Sequence, residues 1–93
     1  KNSKMSVKEE VAEEVLEKVD HENEIVVYND DYNTFDHVIE VLIKACDHEP
    51  MQAEQCTLLI HYKGKCGVKS GSIKDLKPRC SKILEEGISA EIV

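Results

Sequence analysis

EIVVYNDDYNTFDHVIEVLIKAC, residues 24–46, changes its periodicity once. Ile25 to Tyr28 is a run of β-branched and aromatic residues, the composition of a strand, whereas Phe35, Val38, Ile39, Leu42, Ala45 and Cys46 recur at intervals of three and four, the spacing of one helix face. Val41 and Ile43 widen that face, so the helix from Phe35 to Cys46 is buried on more than one side and central to the fold. Between the two elements lie Asn29, Asp30 and Asp31, whose side chains bond nearby backbone and so end strands and begin helices, with Thr34 placed as an N-cap. One or two such residues would suffice for capping. The surplus of side-chain oxygens predicts a site for a cationic group.

Beyond Cys46 the signals alternate again. Asp47-His48-Glu49-Pro50 breaks the first helix, and Pro50 suits the first position of a second, where its missing N–H has no partner to lose. That helix is predicted to run to Tyr62 and stop at Gly64, with Ala53, Cys56, Thr57 and Ile60 inward. Cys66-Gly67-Val68, bounded by Gly64 and Gly71, predicts a second strand. Ser72-Ile73-Lys74-Asp75 has the form of a capping box, and Ile73, Leu76, Cys80, Ile83 and Leu84 continue at helical spacing. Pro78 conflicts with that helix, because it deletes a hydrogen bond and crowds the preceding turn, so a kink or a start near Lys77 is expected. Gly87 ends it, and Ile88 to Val93 alternates as a closing edge strand. The order β-α-α-β-α-β implies an α+β fold, a small sheet with helices on one face.

Ahead of this core, residues 1–23 form an N-terminal extension. Val7, Val11, Val15 and Val19 recur every four residues among Glu9, Glu10, Glu13, Glu14 and Glu17. Four-residue spacing drifts around a helix of 3.6 residues per turn, so the stripe is narrow and the segment is expected to be flexible or marginally helical. Residues 24–93 make the core domain.

The chain has 93 residues, 12 basic and 19 acidic, for a net charge of -7. One small core is all that length supports. The acidic balance argues against nucleic acid, whose binding rests on Lys and Arg neutralising phosphates. No apolar run approaches the roughly 20 residues needed to span a bilayer, so a soluble protein with no membrane partner is expected. Cys46, Cys56, Cys66 and Cys80 lie in apolar patterns without a C-x-x-C pair, and they read as small buried hydrophobes in a reducing cytoplasm. Their spacings with His21, His37, His48 and His61 match no zinc-ligand pattern, so neither metal nor cofactor is expected.

The string VVYNDDYNTFDHVIEVL, followed at a fixed distance by LLIHYKGKCGV, resembles the ClpS family, bacterial adaptors that recognise N-end-rule substrates for the Clp AAA+ protease. The likeness covers Glu24 to Val68 well and the rest loosely. It implies a three-stranded antiparallel sheet packed against three helices, in agreement with the element order. It also implies a protein that binds the free first residue of a substrate when that residue is Leu, Phe, Tyr or Trp. The α-amino group would be held by Asn29, Asp31 and His61, with Asp30 beside them; an amide oxygen, a carboxylate and a neutral imidazole together accept three ammonium protons. The side chain would enter a cavity lined by Val38, Thr57 and Ile60, with Asn33, Thr34 and Phe35 at its mouth. The implied partners are N-degron substrates and a Clp unfoldase, ClpA- or ClpC-like, with its ClpP peptidase, and the extension would be mobile and engaged by the unfoldase.

The chain departs from the family pattern where Asn33-Thr34-Phe35 replaces T-P-M, so an aromatic stands at the usual gate methionine, and where Thr57 replaces a pocket methionine. Two residues are missing between Lys65 and Cys66. Of two positions tied to unfoldase docking, the acidic one is Ser72 and the basic one survives as Lys77. An acid–base enzyme built on Asp31 and His61 lacks a nucleophile in a recognisable setting. The alternative to an adaptor is a peptide- or protein-interaction domain of the same fold without protease delivery.

Overall fold

A computed structural model of the chain describes residues 22–93. Most of the predicted extension therefore lies outside the described residues, and Asn23 already belongs to the first strand. The elements are β1 (Asn23–Tyr28), α1 (Phe35–Cys46), α2 (Pro50–Lys63), β2 (Lys65–Gly71), α3 (Ile73–Glu85) and β3 (Ala90–Ile92). The sheet has the order β2-β1-β3 with both pairs antiparallel. The element order and antiparallel sheet are those expected.

β1 is central because its apolar residues can be covered from the helix side. Ile25 and Val27 are fully buried in one core cluster with Val38 and Leu42 of α1, Ala53 and Ile60 of α2, and Leu76 and Ile83 of α3. Tertiary packing of apolar faces stabilises helices of this length far more than propensity does. Val68 is the extra residue of a bulge, since β1 partners jump from Lys69 to Gly67 between Ile25 and Val26. Its carbonyl accepts a 2.6 Å hydrogen bond from Nε2 of buried His48. A carbonyl cannot donate, so the proton sits on Nε2, and Nδ1 is left buried without a partner.

Several boundaries differ from expectation. β2 extends beyond Cys66–Val68 because backbone pairing with β1 continues through polar residues as far as Gly71. β3 is shorter than Ile88–Val93: Ile88 is buried in the core, although Ser89 and Val93 still bond the backbone of Tyr28 and Glu24. α3 does not begin near Lys77 but runs unbroken from Ile73 through Pro78. Its cap forms, with Ser72 Oγ accepting from the Asp75 N–H at 3.2 Å, and buried Leu76, Cys80 and Ile83 hold it against the core. Those contacts outweigh the single hydrogen bond that Pro78 removes. The cysteines also divide: Cys46 and Cys80 are buried and Cys56 and Cys66 only partly so, because the latter pair lies at the margin between α2 and β2.

α2 stops at Gly64, whose φ of 93° lies in the left-handed region and whose N–H bonds the Ile60 carbonyl at 2.9 Å. A Cβ there would meet nothing within 4 Å. The effect of Gly64→Ala is therefore purely conformational, and the variant should lose about 1–2 kcal/mol of stability. Urea unfolding measures this as a lower midpoint at unchanged slope; a midpoint equal to that of the unaltered protein would contradict it.

Candidate functional site

β1 ends at Tyr28, and the loop that follows is fastened at several points. The Asn29 N–H donates to the Gly64 carbonyl at 2.9 Å, which brings the loop against the C-terminal end of α2. Asp30 folds back on its own loop: Oδ1 accepts from the Tyr32 and Asn33 N–H groups at 2.8 Å each, and Oδ2 accepts from Asn33 Nδ2 at 2.7 Å. The backbone N–H of Asn33 is the main reason that the Asp30 carboxyl titrates below its ordinary value, with burial opposing it. Asn33 Nδ2 also donates to the Gly87 carbonyl at 3.0 Å, and His37 Nε2 donates to the Glu86 carbonyl at 3.0 Å, so the turn after α3 clamps the loop from the far side. Thr34 caps α1 as expected, accepting from the His37 N–H at 3.1 Å.

This scaffold opens a cavity of about 360 Å³ lined by Asn29, Asp30, Asp31, Asn33, Thr34, Phe35, Val38, Thr57, Ile60 and His61. These are the ten residues expected at the amine-binding rim and in the pocket, now gathered from the β1–α1 loop, α1 and α2. Val38, Thr57 and Ile60 are buried and form an apolar floor. The Thr57 hydroxyl donates to the Ala53 carbonyl of its own helix at 2.8 Å, so its polarity is already satisfied. At the mouth Phe35 lies edge-on to the His61 ring, centroids 5.2 Å apart at 73°, and spans the gap between α1 and α2. Tyr62 meets His61 from the other side at 5.0 Å and 77°.

The two carboxylates are not equivalent. Asp30 is half-buried and held by three hydrogen bonds, whereas Asp31 is exposed. A carboxylate offers about four acceptor sites, so Asp30 keeps one for a ligand while remaining fixed. Asp31, expected with Asn29 and His61 at the amine, and Asp30, expected beside them, both line the cavity, and the Asx-turn pattern from Asp30 to Asn33 shapes the loop that carries them. The clamp on Gly87 joins residues 54 positions apart and has no local signal.

The lining hydroxyls, Thr34 and Thr57, are both engaged with backbone, and no cysteine lines the cavity. Among the described residues no cluster of three or more His, Cys, Asp or Glu is arranged to hold a metal. Ser72 and Lys77 stand apart from the cavity, at the cap and in the exposed first turns of α3.

A family model described as ATP-dependent Clp protease adaptor protein ClpS matches residues 18–91. The ATP-dependent Clp protease adapter protein ClpS of Pectobacterium carotovorum subsp. carotovorum (strain PC1) is 40% identical over 55 residues, covering 57% of this chain and 52% of that protein. Its counterpart in Escherichia coli O1:K1 / APEC is 36% identical over 55 residues with the same coverage. The chain thus spans about half the length of the curated relatives it matches. The solved structure of Agrobacterium tumefaciens ClpS2 bound to L-phenylalaninamide superposes with a TM-score of 0.75 over 78% of this chain and 95% of that one, at 14% identity, a likeness of fold.

Proposed function

The chain belongs to the ClpS family of ATP-dependent Clp protease adaptors, and from that premise we propose that it binds the free N-terminus of proteins whose first residue is Leu, Phe, Tyr or Trp. Such proteins would be delivered to a ClpA- or ClpC-like unfoldase with its ClpP peptidase in the cytoplasm. The observation that carries this reading is the cavity itself, an acidic rim set directly over an apolar floor. A first residue presents those two chemistries together, an α-ammonium and a side chain on one carbon. Asp30 and Asp31 supply charge, Asn29 an amide oxygen and His61 a ring lone pair, so each ammonium proton finds an acceptor. Val38, Thr57 and Ile60 take the side chain, whose transfer from water supplies about 25 cal/mol per Å² of apolar surface buried. Ser72 and Lys77 on α3 are the proposed contacts to the unfoldase, on a part of the surface that a bound substrate leaves free.

A titration tests the reading. A Leu-initiated peptide should bind, its N-acetylated copy should not, and neither should be chemically altered on incubation; equal binding of the two copies would remove the amine from recognition. A Val-initiated peptide should bind much more weakly than the Leu-initiated one, because its branch sits beside the crowded mouth formed by Phe35 and Thr34. Val binding as tightly as Leu would show that this mouth is no gate. An interaction domain without delivery would give the same peptide results and differ only in leaving degradation by the reconstituted protease unstimulated.

A further inference from the structure

Tyr62 is 77% exposed and does not line the cavity, yet its ring is packed against a residue that does. It follows His61 in the last turn of α2, where neighbouring side chains point about 100° apart around the helix. Two rings whose centroids lie 5.0 Å apart at 77° have therefore leaned toward each other. From the other side Phe35, carried by α1, meets the same imidazole at 5.2 Å and 73°. Both contacts have the edge-to-face geometry that aromatic pairs prefer. Among the described residues, two other histidine rings are pinned by backbone carbonyls, His37 at 3.0 Å and His48 at 2.6 Å. His61 is bracketed by rings instead, a contact that occupies neither of its nitrogens. We propose that Tyr62 is a positioning residue: with Phe35 it holds the His61 imidazole in the orientation that aims a ring lone pair at the α-ammonium of the bound first residue.

The inference rests on the amine-binding reading of the cavity and adds the reason an exposed imidazole keeps one orientation. A histidine at a helix end turns about two side-chain bonds, and an acceptor that turns freely must be frozen when the ammonium arrives. An aromatic bracket removes that freedom beforehand. The two rings of the bracket differ in what else they do. Phe35 lines the cavity and is placed to touch the substrate, whereas Tyr62 lies outside it and acts through His61. Phe35 also stands where the family pattern has a methionine, so this half of the bracket is a departure of this chain. The contact is made by the Tyr62 ring, so its hydroxyl is dispensable.

The test is calorimetric titration of the full chain with a Leu-initiated peptide and with L-leucinamide, which has no second residue for Tyr62 to touch. Tyr62→Ala should weaken both ligands equally, by about three- to tenfold, the cost of immobilising one side chain, and Tyr62→Phe should bind as the unaltered chain does. In a His61→Ala background, Tyr62→Ala should cost nothing further. A loss confined to the peptide, or one that persists at full size without His61, would make Tyr62 a direct contact of the substrate and overturn the proposal. A second measurement needs no ligand. Carbon-13 relaxation at the His61 ring should report an ordered imidazole in the unaltered chain and in Tyr62→Phe, and a mobile one in Tyr62→Ala; equal order in all three would overturn the bracket alone, whatever the chain binds. Full-strength binding of both ligands by His61→Ala would instead overturn the amine-binding role of His61 and the proposal with it.

Discussion

Asp30→Ala should weaken binding of a Leu-initiated peptide by roughly thirtyfold or more, and by more than the same change at Asp31. Removing one partner of a desolvated, hydrogen-bonded charge pair costs about 2–5 kcal/mol, and each 1.4 kcal/mol is about tenfold in affinity. Asp30 carries a second role that Asp31 lacks, because its oxygens bind the Tyr32 and Asn33 N–H groups and the Asn33 amide. Asn29→Ala and His61→Ala remove neutral acceptors and should each cost about 1–3 kcal/mol. Asp30→Asn separates charge from scaffold: its amide oxygen can still accept from the loop N–H groups, so this variant should keep its fold and lose affinity chiefly through the lost charge. The pH dependence has a defined sign. The Asp30 carboxyl is lowered in the folded protein, mainly by the Asn33 N–H, so its contribution to stability is present above the ordinary carboxylate value and is lost as pH falls through the lowered one. In the unaltered protein the loop should therefore outlast mild acid, and in Asp30→Ala this acid-sensitive part of the stability should be gone. Calorimetric titration of the five variants decides the matter; a loss at Asp31 exceeding that at Asp30 would reverse the assignment.

What could be read from the sequence was what neighbours in the chain decide. Thr34 is three residues from the N–H it accepts and Ser72 three from Asp75, and both caps were visible in the order of residue types. The apolar faces of α1 and α3 follow from spacing alone, as does the stop at Gly64. Pro78 misled because its cost is local, while the compensation is the packing of Leu76, Cys80 and Ile83 of the same helix into a core shared with other elements. The bulge at Val68 and the Asn33–Gly87 clamp depend on how strands and turns distant in sequence come to rest, and Cys56 and Cys66 looked like the other two cysteines until the margin between α2 and β2 set them apart. The pocket was legible through family likeness rather than through pattern. Val38, Thr57 and Ile60 share no motif, and only the fold places them on one floor.

Deleting residues 1–20 should leave peptide affinity and melting temperature nearly unchanged while abolishing delivery of a Leu-initiated substrate to the protease. The first half follows from the core. Every strand and helix described begins at or after Asn23, and Asn23 is itself anchored, its side-chain amide donating to the Val93 carbonyl at 3.0 Å and its backbone paired with Gly71. None of the cavity-lining residues precedes Asn29. The second half rests on the proposed adaptor role and on the composition of the extension, crowded with charge and without an aromatic residue up to position 23. An unfoldase acts by gripping chain, and a charged segment with a thin valine stripe has little core of its own to resist, since isolated helices of this length are marginal in water. The competing arrangement is a helix docked through Val7, Val11, Val15 and Val19; removing it would expose apolar surface and cost about 25 cal/mol per Å² uncovered. In a domain of this size each 1 kcal/mol lowers the melting temperature by about 4–8 °C, so the docked helix would announce itself as a fall of many degrees in the truncated protein. Degradation of a Leu-initiated reporter, measured beside its melting curve, therefore separates the two: unchanged melting with lost degradation supports delivery by the extension, and undiminished degradation sinks it.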